Sequence, residues 1–212
     1  MKTKAEKGAI ALIRLEKQIN TGFPSNYESS LERWTLLDTI RHANMWKMSA
    51  LEIVKKRLQK KEAYFHEEKE FEEIDKEIYI VTRGEESKQT MKYLDQVEEM
   101  TLSVYEQIHG DEENKDLCPL GYNDSVNRYL IYALIQRPIR RYLYYCVKNG
   151  IYGLLAILET YLEKYHSLFL GEKNMLDLSV FYKEEVDRGI FDRKEKWDSD
   201  RIYREIREQT CK

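Results

Sequence analysis

Residues 34 to 46 read Trp34-Thr35-Leu36-Leu37-Asp38-Thr39-Ile40-Arg41-His42-Ala43-Asn44-Met45-Trp46, and a helix begins inside them. Thr35 precedes an apolar-periodic run and Asp38 follows three residues later, so a hydroxyl and a carboxylate can satisfy the orphan amides of a first helical turn reciprocally. Leu36, Leu37, Ile40, Ala43, Leu51, Val54 and Leu58 recur at helical spacing, giving an apolar stripe that demands burial against other elements. Asp38, His42 and Trp46 stand at i, i+4 and i+8 along one side of this helix. Polar groups so close to a packed face need a partner or water.

Working outward, residues 3 to about 20 place Ala5, Ala9, Ile10, Leu12, Ile13 and Ile19 among Lys, Glu and Arg, an amphipathic helix that closes before Thr21-Gly22-Phe23-Pro24. Ser25 to Arg33 is a polar connection whose Leu31, with Trp34, is expected to pack back on the core. Helix two runs from Leu36 to about Lys61. From Glu62 to Gly84 the pattern weakens into scattered Tyr64, Phe65, Phe71, Ile74, Ile78, Tyr79, Ile80 and Val81 on a charged background, part helical and part extended. A 25-residue helix is about 37 Å long, and walking back along it needs about a dozen extended residues. This connection is longer than that, so it suits a crossover that starts helix three parallel to helix two, where an antiparallel neighbour needs only a short loop.

Helix three is expected over about Glu85 to His109, with Met91, Leu94, Val97, Met100, Leu102, Tyr105 and Ile108 inward and Gly110 at its C-cap. Asn123-Asp124 caps helix four, Ser125 to about Asn149, which Gly150 ends. Pro138 inside it has no amide to donate to Leu134, so a kink is expected near Leu134 to Pro138. Helix five spans Tyr152 to about His166. Beyond Gly171 charge dominates, with enough apolar residues for two short helices. The domain reading is one helical bundle over 1–170 and a charged helical extension over 171–212.

Composition narrows the class. The 212 residues carry 35 basic and 38 acidic side chains, a net charge of -3, which gives no general pull toward nucleic acid or an anionic membrane. Nine glycines and three prolines are too few for a sandwich or barrel built on many tight turns, and favour an all-α chain. Cys118, Cys146 and Cys211 are unclustered and the N-terminus has no long uncharged run, so the expected setting is cytoplasmic with reduced thiols. The longest apolar stretch, Ile151 to Leu158, is far short of the roughly 20 residues that span a bilayer. Nucleic acid and membrane are accordingly not expected as partners.

The spacing of Trp34, Thr35, Asp38, His42 and Trp46 resembles the second helix of the DinB superfamily. That resemblance implies a four-helix bundle of up-down-down-up order with a long crossover between helices two and three, and here additional C-terminal helices. It also implies that His42 stands where relatives keep one ligand of a divalent metal, two more coming from an H-x-x-x-H pair on a later helix. In the ClbS/DfsB-like branch that pair often reads H-P-x-x-H, followed by aromatic residues and a glycine. This chain has Arg137-Pro138-Ile139-Arg140-Arg141, then Tyr142, Tyr144, Tyr145 and Gly150. The proline and aromatic tail match, and both histidines are replaced by arginine. The likeness extends over roughly Leu12 to Leu162.

The replacement decides the expected chemistry. A guanidinium stays protonated and has no lone pair for a metal, and a catalytic zinc-type site wants three protein ligands. No metal and no cofactor are therefore expected at His42. Candidate catalytic groups are His42, Arg137 and Arg141, and the ligand-binding set is Asp38, His42, Arg137, Arg141 and Tyr145. Two inward arginines need counter-charges, met either by acids such as Asp38 in an internal ion-pair cluster or by a carboxylate, sulfonate or phosphate on a small molecule. The resemblance implies relatives that are metal-dependent transferases acting on thiol conjugates, or interceptors of reactive molecules in stress and detoxification. Three roles follow: a metal-free binder of a small anionic molecule or a partner; a hydrolase or thiol-linked transferase with His42 as general base and Arg137 or Arg141 stabilising negative charge; or an association module forming a homodimer.

Overall fold

The computed structural model describes residues 2–23, 27–31, 33–64 and 71–169. All regular structure among them is helical, with no strand, as the sparse glycine and proline content predicts. The extension at 171–212 and its two expected helices lie outside the described residues. No helix among the described residues is long and apolar enough to cross a membrane.

The elements begin where their caps dictate. Helix α1 (Lys4–Gly22) starts after Thr3, whose hydroxyl accepts the Glu6 amide at 3.1 Å. Helix α2 (Leu36–Leu58) opens on the capping box expected from Thr35 and Asp38: the Thr35 hydroxyl accepts the Asp38 amide, and the Asp38 carboxylate accepts the Thr35 amide at 2.7 Å. The charged stretch beyond it contains a further helix, α3 (Phe71–Thr82). Gly84 then turns the chain at a φ of 82°, a left-handed conformation that costs glycine little because it has no Cβ. Helix α4 spans Ser87–Gln107, a single 3-10 turn covers Lys115–Leu117, and α5 is Val126–Ile131.

Pro138 is met by a change of ladder. The five residues Tyr132–Gln136 form a π-helical turn, closed by the Arg137 amide donating to the Tyr132 carbonyl. Widening the helix by one residue just before the proline rearranges the hydrogen bonds that the missing amide would disrupt. Helix α6 (Arg137–Asn149) continues from there. Gly150 follows at a φ of 65°, with the Ile151 amide donating to the Cys146 carbonyl at 3.0 Å, and α7 is Tyr152–Tyr165.

The chain divides into two compact units, Met1–Pro138 and Ile139–Lys212. In the first, α1 packs on α4, and α2 on α4 and α3. Arg14 and Lys17 of α1 reach Glu98 of α4 at 3.0 and 2.6 Å, Lys17 reaches Asp95 at 2.6 Å, and Asn20 reaches Ser87 at 2.8 Å. Rising numbers on one helix meet falling numbers on the other, so the two run in opposite directions. On α2, Arg41 reaches Thr90 near the start of α4 and Arg57 reaches the Asp116 carbonyl beyond its end, so α2 and α4 run in the same direction. Leu31 does not join the core. Reciprocal backbone bonds between Ser30 and Arg33 make a tight turn that leaves Leu31 51% exposed. In the second unit Tyr142, Leu143 and Cys146 of α6 and Leu154, Leu155 and Leu158 of α7 are buried. Burial pushes the Cys146 thiol up, which disfavours the thiolate a nucleophile needs.

Between α1 and α2 lies a fully buried ion pair. Both oxygens of Glu16 accept from Lys47 Nζ, at 2.5 and 2.6 Å, and neither side chain has any exposed surface. Burial lowers the Lys47 pKa from its ordinary value, with Glu16 opposing. Lys47→Ala is expected to cost about 3–5 kcal/mol in chemical denaturation, because it strands a buried carboxylate, whereas Lys47→Met with Glu16→Leu should cost far less. The α1–α4 contact is half in water. Burial pushes the Glu98 carboxyl up, but hydrogen bonds from Lys17 and Arg14 outweigh it and hold the group below the usual carboxylate value. Its stabilising contribution is then present above the unfolded pKa and is lost as pH falls through the folded one. Glu98→Gln should therefore cost up to about 1 kcal/mol at pH 7 and progressively less as the pH is lowered through the folded pKa of Glu98, as read by urea melts.

Candidate functional site

Three side chains from α2 and α3 converge on one hydrogen-bonded cluster. His42 Nε2 lies 2.6 Å from Asp75 Oδ1, and Trp46 Nε1 lies 2.9 Å from His42 Nε2 and 3.1 Å from the same Asp75 oxygen. The indole N–H can only donate. If Nε2 kept a lone pair toward Asp75, two acceptors would face each other at 2.6 Å, so the consistent arrangement protonates Nε2. Imidazole and indole then both donate to Asp75 Oδ1.

Aromatic rings enclose the imidazole, which is only 2% exposed. The Trp34 ring centroid is 4.8 Å from that of His42 and the Trp46 ring stands edge-on at 6.2 Å. Tyr79 of α3 stacks on Trp34 at 5.8 Å with an interplanar angle of 11°, an arrangement of the kind worth about 0.5–1.5 kcal/mol beyond its buried area. The Tyr79 hydroxyl meets Ser29 Oγ at 2.8 Å. The Asp75 side chain is 22% exposed, so the cluster reaches the surface at its carboxylate edge. Arg137 lies over the Trp46 ring, its guanidinium carbon 4.0 Å from the centroid. A cation on an indole face is attracted by the ring quadrupole.

Asp38, one turn before His42, serves a different network. Its Oδ2 accepts from Ser29 Oγ at 2.6 Å and from Thr35 Oγ1 at 2.5 Å, in addition to the Thr35 amide, and its Oδ1 is 3.5 Å from Arg41. Arg41 is itself buried, donates to Thr90 Oγ1 at 3.0 Å and to the Glu85 carbonyl, and stands 3.7 Å from the Glu85 carboxylate. Burial lowers the Arg41 pKa and the neighbouring Asp38 and Glu85 oppose it. Asp38 thus caps α2 and balances Arg41, where the sequence expectation set it against Arg137 and Arg141. Arg140, Arg141 and Tyr145 belong to the second unit, the arginines half-buried and Tyr145 buried.

The first unit therefore brings together His42, Trp46 and Arg137 and adds Asp75, Trp34 and Tyr79. Asp75 was missed by sequence reasoning, although a signal existed. It falls between Ile74 and Ile78 on the stripe that α3 buries, and an acid on an apolar stripe needs a partner. Arg41, on the buried side of α2, was missed as well.

A carboxylate-oriented imidazole can act as a general base or serve as an oriented metal ligand. The donor set does not fit the divalent site of the family pattern: His42 and Asp75 supply two groups, and Arg137 presents a guanidinium to the indole. Among the described residues no group of three or more His, Cys, Asp or Glu side chains is placed to hold a metal ion. Comparison with known proteins finds no matching family model, no similar curated protein and no similar solved structure. Elemental analysis of the purified chain is expected to show no stoichiometric transition metal. A molar equivalent that disappears in His42→Ala would contradict the ligand count.

Proposed function

We propose that this chain is a DinB-like helical bundle of up-down-down-up order, without the family's metal site, that binds a small anionic molecule at Arg137 beside the His42–Asp75–Trp46 cluster. The opposed α1 and α4, the co-directional α2 and α4, and the long connection through α3 support that order. The observation that carries the ligand is the guanidinium of Arg137 over Trp46. Stacking uses the face of a guanidinium, while its N–H donors lie in its plane, in the fork that matches carboxylate or phosphate oxygens. Its neighbours His42 and Trp46 are tied to Asp75, which keeps the indole platform in one orientation. A role in stress or detoxification is what the resemblance implies, and a cytoplasmic setting is the expectation carried from the unclustered cysteines.

A second role is favoured by the 2.6 Å His42–Asp75 contact: a metal-free hydrolase or thiol-linked transferase with His42 as base and Arg137 facing the developing negative charge. Turnover of a thiol conjugate that is lost in His42→Ala would select it. Homodimerisation is the third role, read by sedimentation.

Thermal melts with inorganic phosphate or a small dicarboxylate test the binding role. At tenfold excess over Kd, a bound anion adds about 1.4 kcal/mol, a Tm rise of about 3 °C for a chain of this length. The rise should vanish in Arg137→Ala. Equal responses in wild type and Arg137→Ala would overturn the assignment.

A further inference from the structure

The cluster that holds His42 is closed by α3. Helix α3 is twelve residues long and packs chiefly on α2. It lays Ile74, Asp75, Ile78, Tyr79 and Thr82 inward and turns Ile80 and Val81 to solvent, 53% and 71% exposed. Its polar ties to the rest of the unit include Asp75 to His42 and Trp46, and Tyr79 to Ser29. Beyond its C-terminus the chain passes through Gly84 at a φ of 82° and is caught at once by Arg41, which binds both the carbonyl and the carboxylate side of Glu85. A freely rotating residue beside a fixed one is the construction of a hinge.

We propose that α3 is the movable cover of the His42–Trp46–Arg137 site, hinged at Gly84 and latched by Asp75. The inference rests on the binding site proposed above for what enters, and on the geometry of α3 alone for what moves. With α3 in place His42 is 2% and Trp46 5% exposed, and Asp75 is among the groups that close over them. Of the surrounding parts, α2 is held by α1 and α4, whereas α3 packs chiefly on α2, and its opening parts the Tyr79–Trp34 stack and the contacts of Asp75 with His42 and Trp46. Elements that open locally are drawn from those with few buried contacts. The latch also carries a logic: Arg137 and Asp75 both contact Trp46, so an anion arriving at Arg137 comes near the Asp75 carboxylate, and like charge favours the departure of Asp75.

Hydrogen–deuterium exchange on the full chain at neutral pH tests this directly. Peptides from 71–82 are expected to exchange by local opening while α1 and α4 stay protected. Asp75→Asn, which weakens a charge-assisted contact, should speed α3 exchange on the order of tenfold and leave α1 and α4 unchanged. Tyr79→Phe keeps the ring stack but drops the Ser29 bond, and should act on the same peptides more weakly. Exchange of α3 in step with α1 and α4 in the wild type would overturn the proposal, as would an Asp75→Asn chain in which all helices speed up alike. Local opening of α3 in a chain whose Tm does not respond to phosphate would uphold the cover and remove only its cargo.

Discussion

The contact between Asp75 and the pair His42 and Trp46 is the constraint around which the first unit is arranged. Three polar atoms are drawn out of water there, and each needs a partner at close range because an unsatisfied buried group costs about 1–3 kcal/mol. One carboxylate oxygen serves two donors. To supply it, the connection between α2 and α4 must bring a helix, not an extended strap, across α2 at the height of His42. Tyr79, one turn after Asp75, then falls on Trp34, and its hydroxyl reaches Ser29. Ser29 in turn binds the Asp38 carboxylate that caps α2. The connection before α2, the start of α2 and the crossover helix are thereby joined by one continuous set of polar contacts.

Helix α2 is the hub of this and two other charge systems. It meets α1 through the buried Glu16–Lys47 pair, α4 through Arg41, and α3 through His42. Buried ion pairs add little net stability compared with apolar residues of similar size, since desolvation consumes most of the attraction. Their effect is selective: a slip of α1 along α2 by one turn would leave both Glu16 and Lys47 unpaired in the interior. The apolar stripes alone would tolerate such a slip, because their residues repeat every turn.

Arginine and histidine suit a site to different chemistry. An imidazole lends a lone pair to a metal and changes charge near neutrality, whereas a guanidinium holds its charge and offers only donors. The Arg137 guanidinium rests on an indole face, whose quadrupole attracts a cation. The in-plane donors and fixed charge of a guanidinium are the physical ground for reading an anion site at Arg137.

Much of the secondary structure was legible in the sequence because its causes act within a few residues. The Thr35–Asp38 capping box, the apolar period of α1, α2 and α4, the stop at Gly150 and the disturbance before Pro138 are all written in neighbouring positions. The all-helical class follows from them and from the scarcity of turn residues. The partner of His42 was not legible, although it too obeys a simple rule. Asp75 lies 33 positions away, and although its place between Ile74 and Ile78 marks an acid in need of a partner, only the packing of α3 on α2 decides that the partner is His42. Likewise Lys47 and Glu16 sit on apolar stripes of different helices, each a visible anomaly by itself, but their pairing depends on how two helices are set against each other. Local hydrogen-bonding and periodicity determine where helices start and stop. The choice of which buried charge meets which is made only when the helices pack, because the low-dielectric interior penalises every alternative that leaves one unmatched.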